Sequence, residues 1–157
     1  MSKKPQDNGT GIKSGGNACL EITLVLPHLP NPDANPNSRS GYATNKNGGQ
    51  YNPKLSKAKK SDREEMILAV LQQGKPDAPI EKAHISIIYK SKDKRKRDMD
   101  NLLSAMKGTI DGLVDAGVMV DDSAKHLCRY ILDYEYGCEA DETIIHIKEI
   151  KREVEDE

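Results

Sequence analysis

Short β-branched apolar runs alternate along the chain with stretches of helical period, and the alternation predicts an element order. "CLEITLVLP", Cys19 to Pro27, has the character of a strand ended by proline. Residues 54–73, read from Pro53 as "PKLSKAKKSDREEMILAVLQQ", predict a helix whose buried stripe is Met66, Ile67, Val70 and Leu71. Ser61 and Glu64 stand at capping-box spacing and offer it a start, and Gly74 and Pro76 end it. "KAHISIIYK", "HLCRYILDY" and "ETIIHIKEI" predict three further strands, the last two joined through the Gly-containing turn "EYGCEAD".

Between the second and third strands, "DMDNLLSAMKGTIDGLVDAG" carries Leu102, Leu103, Met106, Ile110, Leu113 and Val114 at helical spacing, so that face is core. At about 100° per residue, Asp100, Lys107 and Asp111 share a stripe on the opposite side. Gly117 ends this helix, and "VMVDD" delivers Asp121 and Asp122 ahead of the third strand. The order β-α-β-α-β-β predicts an α/β or α+β fold, a small mixed β-sheet with two main helices.

At 157 residues the chain is expected to form one domain over residues 19–150. A polar, Gly-rich tail at 1–18 and a charged tail at 151–157 are expected to lack regular structure. The segment "HLPNPDANPNSRSGYATNKNGGQYNP" is too rich in Pro, Asn and Gly for regular elements, and a loop of that length is either disordered or functional. With no Trp and no Phe, stacking of bases on such rings is unavailable, which argues against a single-strand-binding module.

The net charge of −1 conceals an asymmetry: residues 1–97 carry 18 Lys and Arg against 9 Asp and Glu, whereas residues 98–157 carry 6 against 16. That imbalance suggests a polyanion-facing surface on one part and an acidic site or solvated tail on the other. Cys19, Cys128 and Cys138 form no C-x-x-C pair, so neither a disulfide framework nor a zinc site is favoured and an intracellular, cytoplasmic protein is expected. No stretch suggests a signal peptide or a membrane span.

The densest chemistry lies in "KRKRDMDN", where Lys94, Arg95, Lys96 and Arg97 directly precede Asp98 and Asp100. Clustered carboxylates repel one another, and a divalent cation reverses that penalty. Mg²⁺ takes hard oxygen ligands and is held by one or two carboxylates together with substrate phosphate oxygens, which neighbouring cations help to position. Each piece also has a plainer use. Asp-x-Asp before a helix is commoner as an N-cap with a solvated neighbour, Asp-Asp is ordinary turn chemistry, and Lys107 can pair with Asp111 four residues on. His28, His84, His126 and His146 share no ligand spacing.

Taken together, "RDMDNLLSAMKGTIDGLVDAGVMVDDS", Arg97 to Ser123, resembles the RusA family of Holliday junction resolvases, including its phage and prophage members. The shared pattern is a basic residue, D-x-D-N-L, a Lys, an Asp further along the helix, a Gly, and D-D before a strand. The resemblance implies a RusA-like domain that acts as a homodimer and nicks four-way junctions or other branched DNA symmetrically with Mg²⁺, for which Mn²⁺ can substitute. No organic cofactor and no membrane are implied. Asp98, Asp100 and Asp122 would bind the metal, Asp121 would be a further acidic group, and Lys107 the catalytic or phosphate-binding lysine. Arg97 would contact DNA beside Lys94, Arg95 and Lys96, and Asn35, Asn37 and Arg39 would be substrate contacts from the early loop. The chain departs from the pattern by three residues inserted ahead of Lys107, which puts Ser104 where the lysine could stand. A protein that binds branched DNA by shape without cutting it is the alternative, and a module whose acidic cluster binds Ca²⁺ or a basic protein is a third reading.

Overall fold

The computed structural model describes residues 11–13, 19–37 and 42–151. Its elements in chain order are β1 (Gly11–Lys13), β2 (Glu21–Leu26), β3 (Ala43–Thr44), β4 (Gln50–Tyr51), α1 (Pro53–Gln73) and β5 (Ala83–Lys90). These are followed by α2 (Met99–Ser104), α3 (Lys107–Asp115), β6 (Leu127–Glu135) and β7 (Glu142–Glu149). Among the described residues, five strands form one mixed sheet in the order β1-β2-β7-β5-β6, with β5 and β6 parallel and the other neighbours antiparallel. A parallel pair needs a crossover, and α2 with α3 supplies it. The fold is the expected small α+β domain with a mixed sheet.

Alternation in the strands decides which face is covered. Ile22, Leu24 and Leu26 of β2, Ile85, Ile87 and Tyr89 of β5, and Ile145 and Ile147 of β7 are all buried, while the residues that alternate between them are half-buried. These residues share one core with Met66 and Val70 of α1, Leu102 of α2 and Ile110 and Leu113 of α3, so the helices cover a single face of the sheet.

Five expectations are corrected. The N-terminal tail is not wholly without regular structure, because Gly11–Lys13 pairs with β2; main-chain bonding at an open edge asks nothing of side-chain polarity. Helix α1 starts at Pro53, not at Ser61, because the Asn52 side chain accepts from the Leu55 N–H and Pro53 already has a helical φ. Its buried stripe is Ala58, Asp62, Met66, Ala69 and Val70, whereas Leu71 is 69 % exposed. The long second helix is broken at Ala105–Met106 into α2 and α3. The loop expected to be irregular also carries a 3-10 turn at Pro32–Ala34 and the β3–β4 hairpin.

Helices α1 and α3 touch through glycine. A Cβ on Gly108 would collide with the Lys59 carbonyl of α1, and one on Gly112 would sit 2.7 Å from the Arg63 carbonyl oxygen and 2.8 Å from Met66 Cβ. Backbone obstructs both positions, so neither collision is relieved by a rotamer change. Gly108→Ala and Gly112→Ala are each expected to destabilise the fold by about 1–3 kcal/mol, read from chemical denaturation. Wild-type stability in both variants would show that the helices do not approach this closely.

Candidate functional site

Two clefts flank α2. The first, of about 910 Å³, is walled by Arg95, Lys96, Arg97 and Asp98 from the β5–α2 loop, by Asn101, Leu102 and Ala105, by Leu29, Pro30, Pro32 and Asn35 from the loop after β2, and by Asp141. The second, of about 290 Å³, is walled by Pro36, Lys59, Leu103, Ser104, Lys107, Ile110, Asp122 and Tyr130. Asn35 lines one cleft and Pro36 the other, so a single loop overhangs both.

That loop is built from its own polar side chains. Asn31 accepts from the Asp33 N–H, Asn35 accepts from the Asn37 N–H at 2.9 Å, and the Asn37 amide donates to Asn101 of α2 at 3.2 Å. Ala34 is buried with Ala58 of α1 and with Ala105 at the helix break, which seats the loop on the helices. Arg39 lies outside the described residues.

At the cationic loop the governing residue is Asp93, which the sequence reading left aside. Its Oδ1 accepts from the Ser91 hydroxyl at 2.9 Å, the Arg95 N–H at 3.0 Å and Arg97 Nη1 at 2.8 Å, while Oδ2 accepts from Arg97 Nη2 at 3.1 Å. These bonds, the Arg97 guanidinium first, hold the Asp93 carboxyl well below the usual carboxylate range. Arg97 also donates to the Tyr134 hydroxyl at 2.7 Å and keeps only 23 % of its side chain exposed. It therefore clamps the loop, while Lys94, Arg95 and Lys96 are exposed, Lys94 standing apart from the cleft.

The carboxylates divide between the two flanks. Asp98 occupies the N-cap position of α2 without its side chain accepting a capping bond, and it borders the first cleft. Asp100 is exposed in the first turn of α2 and lines neither cleft. Lys107 opens α3 and donates to Asp122 at 2.7 Å and to Asp111 at 2.9 Å. The two bonds, Asp122 first, raise its pKa above the ordinary lysine value, so it stays an ammonium throughout the physiological range. The stripe expected to unite Asp100 with Lys107 and Asp111 is interrupted by the helix break, and only the latter two are joined.

The chain delivers Asp121 and Asp122 through a bridge between two loops. Ile80 N–H donates to the Val118 carbonyl at 2.9 Å, and Val120 N–H donates to the Ile80 carbonyl at 3.1 Å. Asp121 turns its carboxylate onto Ser123, whose hydroxyl is the chief cause of its lowered pKa, and only Asp122 reaches Lys107. Tyr130 completes the second cleft from β6. Burial pushes its phenol up to about 12, and the Asp122 charge adds to that. Nothing but strand alternation marked Tyr130 in the sequence, and Asp93 was marked only by its spacing of four from Arg97.

The donor set Asp98, Asp100 and Asp122 consists of carboxylate oxygens, which suits a hard divalent cation. Among the described residues these side chains are not drawn into one group of three that could share an ion. No helix of the described residues is long and apolar enough to cross a membrane, and all three cysteines are free. No protein-family model and no curated protein matches this chain.

Behind the overhanging loop sits a titratable group of a different kind. Asp62 lies on the buried stripe of α1 with no hydrogen-bond partner for its Oδ2 among the described residues, and burial, with the Glu65 charge, lifts its pKa to about 6. His28, just before the loop, meets acceptors at both ring nitrogens, the Leu29 carbonyl at 2.7 Å and a Glu65 carboxylate oxygen at 2.5 Å. Only an imidazolium can donate to both. Burial opposes that charge, but the Leu29 carbonyl and Glu65 outweigh it and raise the His28 pKa. Both folded-state pKa values are raised, so both groups contribute stability that is full below their unfolded values and is lost as pH rises through the folded ones. For Asp62 that window runs from the ordinary 3.8 to about 6. Asp62→Asn, neutral at every pH, is expected to be more stable than wild type at about pH 8, to keep roughly half of that advantage at about pH 5 and to lose most of it by about pH 4. A thermal denaturation series over pH checks this, and an advantage independent of pH would overturn it.

Proposed function

We propose that the protein is a Mg²⁺-dependent endonuclease of the cytoplasm that acts on branched DNA, nicking four-way junctions in pairs as a homodimer. The observation that carries this reading is the Lys107 ammonium held between Asp122 and Asp111 on one flank of α2, with Arg95, Lys96 and Asp98 on the other flank beneath one Asn-rich loop. The resemblance of Arg97–Ser123 to the RusA resolvases supports it, and the helix break at Ala105–Met106 falls within the stretch that holds the three inserted residues. Serving as a permanent cation, Lys107 offsets charge that builds on a phosphoryl group, and its raised pKa rules it out as a base near neutral pH.

In this reading Lys94, Arg95 and Lys96 draw in the backbone phosphates, and Asn35 and Asn37 contact the strand from above. Asp93 and Arg97 hold the cationic loop in shape. The resemblance assigns Mg²⁺, or Mn²⁺ in its place, to Asp98, Asp100 and Asp122, with Asp121 as a further acidic group; the described fold does not gather these carboxylates into one group of three, so substrate phosphate oxygens would have to complete the ion's ligands. Bound there, the ion would polarise the phosphate and lower the pKa of a water. A second reading, a protein that binds branched DNA without cutting it, is favoured by one observation: Lys107 already neutralises Asp111 and Asp122.

The test is a labelled four-way junction beside a matched linear duplex, each with Mg²⁺ or EDTA. The expected result is symmetric nicks in the junction alone, dependent on Mg²⁺ and absent in Asp100→Asn and Asp122→Asn. Lys107→Ala is expected to slow cleavage by roughly a hundredfold or more while leaving junction binding in place. Salt-sensitive binding with no product under either metal would promote the second reading.

A further inference from the structure

Strand β6 ends the sheet, and its outer edge is unpaired by any described element. Natural edge strands are blunted by brevity, proline, inward charge or a bulge, because an open row of N–H and C=O groups invites another strand. β6 is nine residues long and contains no proline, and past a single register shift at Cys128, near its start, it keeps a regular register against β5 from Arg129 to Glu135. Its middle is apolar and accessible, with Tyr130 and Ile131 each 38 % exposed.

The order of charges along this edge identifies its occupant. Arg129 and Asp133 stand two residues to either side of Ile131, and all three point to the sheet face away from the helices, since Tyr130 and Leu132 align with the buried Ile85 and Ile87. We propose that β6 pairs antiparallel with β6 of a second copy of this chain, across a two-fold axis through Ile131. Two-fold symmetry then opposes Ile131 to Ile131 of the partner subunit and makes two identical ion pairs, each between Arg129 of one copy and Asp133 of the partner subunit. Shifting the axis to Leu132 sets Ile131 against the charge of the partner's Asp133. Shifting it to Tyr130 sets Arg129 against the partner's Ile131. Only the axis through Ile131 matches apolar with apolar and cation with anion.

On the other face of the same seam, Tyr130 meets Leu132 of the partner subunit. Tyr130 is also a wall of the cleft that holds Lys107 and Asp122. The partner thus extends that wall, and two such clefts flank one continuous sheet. This supplies a surface for the dimer of the proposed function but does not depend on cleavage, because it is measured without DNA.

The test is sedimentation equilibrium of the full chain over a concentration series, at low and high salt. Wild type is expected to be a dimer. Arg129→Asp and Asp133→Arg each oppose like charges twice and are expected to weaken association by roughly tenfold or more, and the double variant carrying both is expected to restore it. Ile131→Lys, which sets two ammonium groups face to face, is expected to give monomer, and circular dichroism establishes that each variant remains folded. A monomeric wild type, or a dimer indifferent to both single charge reversals and to Ile131→Lys, would overturn the proposal whatever the junction assay returns. Should one single variant unfold, Ile131→Lys with the other single variant decides the outcome alone.

Discussion

The close approach of α3 to α1 at Gly108 and Gly112 is the constraint on which the site depends. Those two glycines are four residues apart and face the α1 backbone, which fixes the rotation of α3 about its axis. Lys107 and Asp111 each precede one of them, and so are turned about 100° away from the contact, toward solvent and toward Asp122. The spacing that lets the helices touch therefore also builds the ion pair. Ala105, packed with Ala34 and Ala58, serves the same end at the helix break by admitting the loop that overhangs both clefts.

Electrostatics on the opposite flank are more self-contained than the charge distribution along the chain suggests. The cationic half and the acidic half meet in space: Lys90 lies 3.9 Å from Glu135, the Lys92 N–H donates to Asp141 at 2.8 Å, and Asp93 holds Arg97 from within the cationic run itself. An exposed ion pair contributes little to stability, but a network that shapes a loop decides which cations stay available. Arg97 is used in holding the loop, and Lys94, Arg95 and Lys96 remain exposed to meet a polyanion.

Strand alternation was the most legible signal. The period of two in Ile85, Ile87 and Tyr89, and in Ile145 and Ile147, translates directly into a covered face because a strand has only two sides. Helical period was read less well in α1. Asp62 occupies a core position there, and a carboxylate in the stripe shifts an eye that counts apolar residues toward Leu71, which the fold leaves in solvent. The break at Ala105–Met106 was likewise hidden, since both residues suit a helix and the apolar spacing continues across it. At the break Ala105 packs with Ala34 and Ala58, which lie far away in the chain.

By itself the sequence determined the class of fold, the order of its main elements, the two-sided character of the central strands and a short list of charged residues crowded around one helix. Periodicity and residue type are local properties, and they suffice for that much. Tertiary structure alone decided which charges meet. It divided Asp98 from Asp122, joined Lys107 to Asp122 across fifteen positions, assigned Arg97 to Asp93 and Tyr134, and brought Tyr130 to the second cleft. Those pairings depend on the rotation of helices and the register of strands, which are fixed by contacts between residues that no local pattern connects.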